Sequence, residues 1–209
     1  MRGKSMFRWG MVGVFALLTA CAATRPDIQV DSESASPGTR VAFKGTPHDL
    51  IGDYIAVGDP LPSAPLVQAG TLQPVDLSQE KGEILFLSIV PSVDTKVCEA
   101  QTHILGEAGD RLPGNVRRIT ISRDTPFAQS RFAEAAGLTD IQYLSDYKSG
   151  EFGKAMGLLV EDLMLLARSV VIVDETGVVQ YIQVVPEMTH LPEMETAFDK
   201  AIRLSKSGG

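Results

Sequence analysis

The chain has only two cysteines among its 209 residues, Cys21 and Cys98, and Cys98 is the one in the body of the protein. Histidine is nearly as scarce. His48, His103 and His190 share no metal-ligand spacing, so surface or hydrogen-bonded roles are the better reading of all three. Basic residues form no stripe. The formal net charge is −7, and because residues 1–20 hold Arg2, Lys4 and Arg8 but no Asp or Glu, the rest of the chain stands at −10. Such an acidic body argues against nucleic acid as a partner, since phosphate backbones are bound by clustered Lys and Arg. No internal repeat is visible, and the apolar run over residues 9–20 falls short of the ~20 residues that a membrane-spanning helix needs. Hydrophobic content is ample. At 44% of residues it supplies one sizeable core, and one domain plus an N-terminal appendage is the simplest division.

The appendage reads as a targeting segment. Residues 1–8 are basic and residues 9–20 are apolar, ending in small side chains, which is the plan of a bacterial-type export signal. Leu18-Thr19-Ala20-Cys21 resembles the lipobox of bacterial lipoproteins, in which the cysteine is lipid-modified and becomes the mature N-terminus. Ala20-Cys21-Ala22 also fits ordinary small-x-small cleavage. The expectation is a signal peptide over residues 1–20, lipidation at Cys21, a flexible polar tether over residues 21–40 and a folded domain over residues 41–206. The product would be exported and lipid-anchored to a bacterial membrane, facing the periplasm or the cell exterior. Each buried acyl methylene contributes ~0.8 kcal/mol, so several chains make a durable anchor.

Within the body, residues 41–45 alternate apolar and polar side chains and, with residues 48–52, predict a hairpin at the front of the domain. Short strands are expected near residues 64–67 and 72–77. Residues 84–90 form a nearly continuous apolar run of strand length, as buried central strands do. Residues 116–122 and 168–174 read the same way, and residues 178–185 return from a turn at Gly177 as a hairpin. Helical spacing covers residues 97–112, residues 126–136 between Pro126 and Gly137, a short stretch at 151–156, and residues 192–204. A short strand is expected at 142–144. This order predicts an α/β fold with a mixed central sheet, flanking helices and an N-terminal β-hairpin, for which a thioredoxin-like core is the natural candidate.

The chemistry points to Cys98. It follows a buried strand and stands in the first turn of an expected helix, where unpaired backbone N–H groups favour an anion. Only the thiolate is a good nucleophile. Thr95, three residues earlier, can hydrogen-bond the sulfur, and Arg168, at the start of a strong strand, is the cation expected to approach it. Pro91 fixes and shields the loop. Taken singly, each has a plainer reading: a buried structural thiol, a helix cap, an ion-paired arginine, a loop breaker.

Pro91-x-x-x-Thr95-x-x-Cys98 is similar to the peroxiredoxin active-site motif, and the longer match is to the thiol peroxidase subfamily. Its supporting segments are Val41-Ala42-Phe43-Lys44-Gly45, Gln101-Thr102, Pro126-Phe127-Ala128-Gln129-Ser130-Arg131-Phe132, Leu144-Ser145-Asp146 and Leu165-Leu166-Ala167-Arg168, in the family's order. The resemblance implies a thioredoxin-like fold and a peroxidase without metal or organic cofactor, reducing hydrogen peroxide and organic hydroperoxides. Cys98 would be the peroxidatic cysteine, oxidised to a sulfenic acid, with Thr95 and Arg168 orienting the peroxide and Gln101 as a supporting contact. A homodimer is implied as well. One departure stands out: the residue after Ser130-Arg131-Phe132 is Ala133, where this subfamily typically carries its resolving cysteine. The reading is therefore a one-cysteine enzyme that needs an external thiol reductant, such as a thioredoxin-like protein. The alternative is a non-catalytic, lipid-anchored thioredoxin-fold binding protein or oxidant sensor.

Overall fold

The computed structural model describes residues 28–207, and its strand β10 (Ser169–Val173) is sealed from solvent along its whole length. β10 lies antiparallel to β5 (Ile84–Ile89), with Ser169 opposite Ile89, and to β11 (Val179–Val184), with Ser169 opposite Val184. β5 runs parallel to β6 (Val116–Ser122), with Ser88 opposite Thr120, and β6 runs parallel to β7 (Gln142–Ser145). β3 (Leu66–Gln68) and β4 (Pro74–Val75) complete a seven-stranded mixed sheet in the order β11-β10-β5-β6-β7-β3-β4.

Both faces of this sheet are covered, which is why its central strands read as apolar runs rather than as alternations. The two-residue period of a strand divides them cleanly. Leu85, Leu87 and Ile89 of β5 join Ile119, Ile121, Val171 and Val173 in one core. Ile84 and Phe86 join Val170 and Ile172 in the other. The first core is closed by a four-stranded sheet, β1 (Arg40–Phe43), β2 (Thr46–Ile51), β8 (Leu159–Val160) and β9 (Leu165–Leu166), together with α3 (Glu151–Ala155). The second is closed by α1 (Lys96–Glu107), α2 (Pro126–Ala136) and α4 (Met194–Ser207), which contribute Leu105, Ala133 and Phe198. Phe198 stacks on Phe86 with ring centroids 5.1 Å apart. Burying side chains of this size stabilises the fold by ~1.5–3 kcal/mol each.

Several elements fall as the sequence predicts. β6 covers residues 116–122, and α2 runs from Pro126 to a left-handed Gly137 (φ 67°). Others differ. α1 stops at Glu107 rather than 112, because the chain turns through Ala108 and Gly109, whose N–H groups bond back to Ile104 and Gly106. β8 and β9 extend the expected hairpin into a sheet.

The tether expected over residues 21–40 is also different where it is described. Residues 29–35 lie against the domain: Asp31 N–H donates to Leu191 O (2.9 Å), Leu191 N–H to Gln29 O (2.8 Å) and Ala35 N–H to Val184 O (2.8 Å). Gln183 Nε2 donates to Asp31 O at 2.8 Å. The cause is unpaired backbone at the outer edge of β11, at Val184, and in the loop beyond it, at Leu191, which offers partners to a passing chain. The expected signal peptide and Cys21 lie outside the described residues.

Candidate active site

β5 and β6 run parallel, so the loops that follow them emerge at the same end of the sheet, where open α/β sheets build their sites. The loop after β5 carries Pro91, buried at its start, and leads into α1 with Thr95 as the N-cap in extended conformation (φ −129°, ψ 146°). Cys98 is thus the third residue of the helix. Its own N–H belongs to the first turn, which has no partner within the helix. The sulfur is fully buried and packs with Val90, Val93 and the partly buried ring of Phe132. Pro91, with its fixed φ and no N–H to donate, sets the backbone path at the start of this loop.

Two donors converge on the sulfur. Thr95 Oγ1–H points at Cys98 Sγ from 3.0 Å and Arg168 Nη2–H from 3.2 Å. Both bonds strengthen when the sulfur is negatively charged. Thr95 makes no side-chain capping bond to the helix backbone; its hydroxyl is committed to the sulfur instead. Arg168 stands just before β10 and is 2% exposed. Its remaining groups are held by neutral acceptors: Nε donates to Met188 O (2.9 Å) and Nη1 to Gln101 Oε1 (2.7 Å). Among the described residues none of its hydrogen-bond partners is a carboxylate, so its positive charge is free to act on the sulfur and on whatever the sulfur attacks. Gln101, also fully buried, is fixed from behind by its Nε2–H bond to Ser88 Oγ (2.9 Å). Thr102 Oγ1 donates to Cys98 O (2.9 Å) and steadies the first turn.

The sequence-predicted residues are therefore joined in one hydrogen-bonded chain, Thr95 to Cys98, Cys98 to Arg168 and Arg168 to Gln101. Ser88, Met188 and Asp124 were not foreseen. Asp124, in the loop after β6, accepts from Val93 N–H (2.7 Å) and Ser92 Oγ–H (2.8 Å) in the cysteine loop. Its only sequence signal is an acid just ahead of the Thr125-Pro126 helix start. Ala133 is 7% exposed and faces the core shared with Leu105 and Tyr143, beside the cluster that holds Cys98. Burial, with Asp140 adding to it, pushes the Tyr143 phenol up, and its hydroxyl donates to Leu138 O (3.1 Å). The histidines are distributed elsewhere: His48 pairs with Asp162 at 2.8 Å and His190 with Asp31 at 3.0 Å. Among the described residues, no three or more His, Cys, Asp or Glu side chains gather in a way that could hold a metal ion. Cys98 is the free cysteine among the described residues.

A buried sulfur at a helix N-terminus, facing a hydroxyl and a carboxylate-free guanidinium, is equipped to act as a nucleophile on a small polar electrophile. Known proteins share the framework. Residues 56–200 match the family described as Redoxin. The thiol peroxidase of Halalkalibacterium halodurans is 42% identical over 161 residues, which cover 77% of this chain and 96% of the relative. That of Bacillus subtilis is 40% identical over 166 residues, covering 79% and 98%. Among solved structures, a peroxiredoxin-like protein from Aquifex aeolicus superposes with a TM-score of 0.74 at 34% identity, covering 82% of this chain and 99% of that one. A thiol peroxidase from Chromobacterium violaceum, at 22% identity and a TM-score of 0.67 over 81% of this chain and 97% of its own, shares the fold. With the sheet order, the cysteine at the head of α1 and these matches together, this chain belongs to the redoxin family, among its thiol peroxidases.

Proposed function

We propose that the chain is a one-cysteine thiol peroxidase with Cys98 as the peroxidatic residue. The observation that carries this is the pair of donors, Thr95 Oγ1 and Arg168 Nη2, aimed at one buried sulfur. In the first half-reaction the Cys98 thiolate attacks the terminal oxygen of the peroxide. An S–O bond forms, the O–O bond breaks, and the departing oxygen takes a proton to leave as water or an alcohol. Cys98 is left as a sulfenic acid. Arg168 and Thr95 stabilise the charge that moves from sulfur to the leaving oxygen. In the second half-reaction an external thiol attacks the sulfenic sulfur, forming a mixed disulfide and releasing water. A second thiol then releases Cys98.

Ala133 in place of the subfamily's resolving cysteine supports the external donor, with a thioredoxin-like protein the chemistry that fits. Thiol peroxidases at about 40% identity along nearly their whole length favour the enzyme over a binding protein or sensor. The lipobox at Cys21 supports export and a lipid anchor, which would bring the site to hydroperoxides of membrane lipids, and the family supports a homodimer. The test is steady-state consumption of hydrogen peroxide and of a fatty-acid hydroperoxide by the full chain in detergent with dithiothreitol. Turnover that disappears in Cys98→Ser is expected, with acyl mass on Cys21 in the membrane fraction. Peroxide consumption that survives Cys98→Ser, or an intramolecular disulfide, would overturn the reading.

A further inference from the structure

Arg168 owes its direction to a turn, and the turn is held from both ends. Nε donates to Met188 O at 2.9 Å, and Met188 is the second residue of a turn closed by His190 N–H donating to Glu187 O at 2.8 Å. The Met188 carbonyl belongs to the central peptide of that turn, the unit whose direction differs between turn types I and II. At the Glu187 end the turn is tied to the N-terminal hairpin. The Glu187 carboxylate accepts Gly45 N–H (2.8 Å) and Lys44 N–H (3.0 Å), and it also takes Thr189 N–H (3.1 Å) from the central peptide. At the His190 end the turn is tied to the strap formed by residues 29–35. His190 Nδ1–H donates to Asp31 Oδ2 at 3.0 Å, and both side chains are largely buried. The strap has a receptor of its own in Gln183, which is 3% exposed. Its Nε2 donates to Asp31 O (2.8 Å) and Glu33 O (3.2 Å), and its Oε1 takes Glu193 N–H (2.9 Å). Ser34 Oγ accepts Val184 N–H at 3.0 Å. A buried amide is costly without partners, so Gln183 and the strap are built for each other.

We propose that Asp31 and His190 are a positioning pair, through which the strap aims the guanidinium of Arg168 at the Cys98 sulfur. The pair fixes the His190 corner of the turn. That corner sets the direction of the Met188 carbonyl, the carbonyl holds Nε, and a held Nε leaves Nη2 pointing at Sγ. The proposal rests on the peroxidase reading above. A strap that only stabilised the fold would change attack and stability together, wherever it was loosened. A positioning strap changes attack only when the His190 corner is released, and only while Arg168 has an Nε–H to be held.

The test uses the full chain in detergent. Reduced enzyme is mixed rapidly with one equivalent of hydrogen peroxide, and Cys98 is read by mass after quench. Asp31→Ala and His190→Ala should each slow attack about three- to tenfold, the range for coupling carried through a packed network, and the double variant should be no slower than either alone. Asp31→Asn keeps an acceptor for His190 and should recover most of the rate. In the Arg168→Lys background no Nε–H remains for Met188 O to hold, so there Asp31→Ala should slow attack no further. Ser34→Ala loosens the strap on β11 and spares the His190 pair; it should lower the melting temperature and leave attack within about twofold of wild type. The Arg168 Nε–H proton resonance, identified by its loss in Arg168→Lys, reports the same bond without chemistry. It should move in Asp31→Ala and His190→Ala and stay in place in Ser34→Ala. Where His190→Ala folds poorly, Asp31→Ala carries the comparison from the strap side. Unchanged attack in Asp31→Ala, a loss that persists in full beside Arg168→Lys, or an equal loss in Ser34→Ala overturns the proposal. If the wild-type sulfur proves inert to peroxide, the peroxidase reading falls, and the Nε–H resonance alone decides whether the strap holds Arg168.

Discussion

Replacing Arg168 with lysine keeps a positive charge on the same strand and removes the fork. In the native site three different nitrogens serve three acceptors: Nε on Met188 O, Nη1 on Gln101 Oε1 and Nη2 on Cys98 Sγ, at 2.9, 2.7 and 3.2 Å. A single ammonium cannot occupy those three places at once. Loss of one preorganised donor at a reacting centre costs ~10²–10³ in rate. The acceptors left behind are sealed from water, and each such orphan costs ~1–3 kcal/mol. Arg168→Lys is thus expected to slow single-turnover oxidation of Cys98 about a hundredfold and to lower unfolding free energy by a few kcal/mol. Arg168→Met fills similar space without charge. It separates the two contributions: if geometry dominates, the two variants attack at similar rates, and if charge dominates, the lysine variant stays clearly faster. The assay is rapid mixing with peroxide, so that resolution does not mask attack, alongside urea unfolding. An Arg168→Lys enzyme within about threefold of wild type in attack, with unchanged stability, would refute the reasoning that the guanidinium is held for its directions.

Thr95→Val should lose the sulfur-directed donor and slow attack about tenfold or more, whereas Thr95→Ser should keep most of it; equal loss in both would assign the effect to the methyl group instead. Ala133→Cys should divert the sulfenic acid into an intramolecular disulfide with Cys98, seen as a loss of two mass units on non-reducing analysis. The two side chains lie in adjacent but separate clusters, so the first turn of α1 must unwind, and a persisting sulfenic acid would show that it does not. Desolvation alone would raise the Glu187 carboxyl. Bonds from Gly45 N–H, the Thr189 hydroxyl and N–H, and Lys44 N–H outweigh it and hold the group below its usual range. A depressed folded value contributes stability that is present above the unfolded carboxyl value of ~4.3 and is lost as pH falls through the folded one. Glu187→Gln should therefore melt below wild type at pH 7, with the gap closing in acid; a gap that is constant with pH would contradict the assignment.

The parts of the fold that were legible are those with a local cause. β5, β6 and β10 announce themselves because both their faces are buried, and α2 because Pro126 and Gly137 mark its two ends. The Thr95–Cys98 contact is also local, since three residues at a helix start bring a cap hydroxyl beside the third side chain. The rest depends on tertiary placement. Arg168 is 70 residues from Cys98 in sequence, and only the family resemblance pointed to it with any force. Met188 enters through its carbonyl oxygen, which no side-chain pattern can register. β8 and β9 have two residues each, too few to display a period. Residues 29–35 are polar and read as linker, yet they are held through their backbones, and composition says nothing about backbone partners.

That last difference bears on what a lipid at Cys21 would do. A free tether from Cys21 to residue 40 would let the domain range ~70 Å from the membrane, at ~3.6 Å per residue fully extended. With the chain fastened to Leu191 and Val184 from residue 29 onward, the span from Cys21 to residue 28 is at most ~25 Å. The fastening point is also part of the site's support. Leu191 and His190, which hold Gln29 and Asp31, lie in the loop whose Met188 carbonyl secures Arg168. An anchor at Cys21 would then pull on the segment that braces the guanidinium. Its short reach would confine Cys98 to within about a domain's width of the bilayer, where fatty-acid hydroperoxides are presented. On this geometry a preference for lipid over hydrogen peroxide would come from where the enzyme is held as well as from the shape of its cleft, and moving the substrate from detergent into vesicles would separate the two.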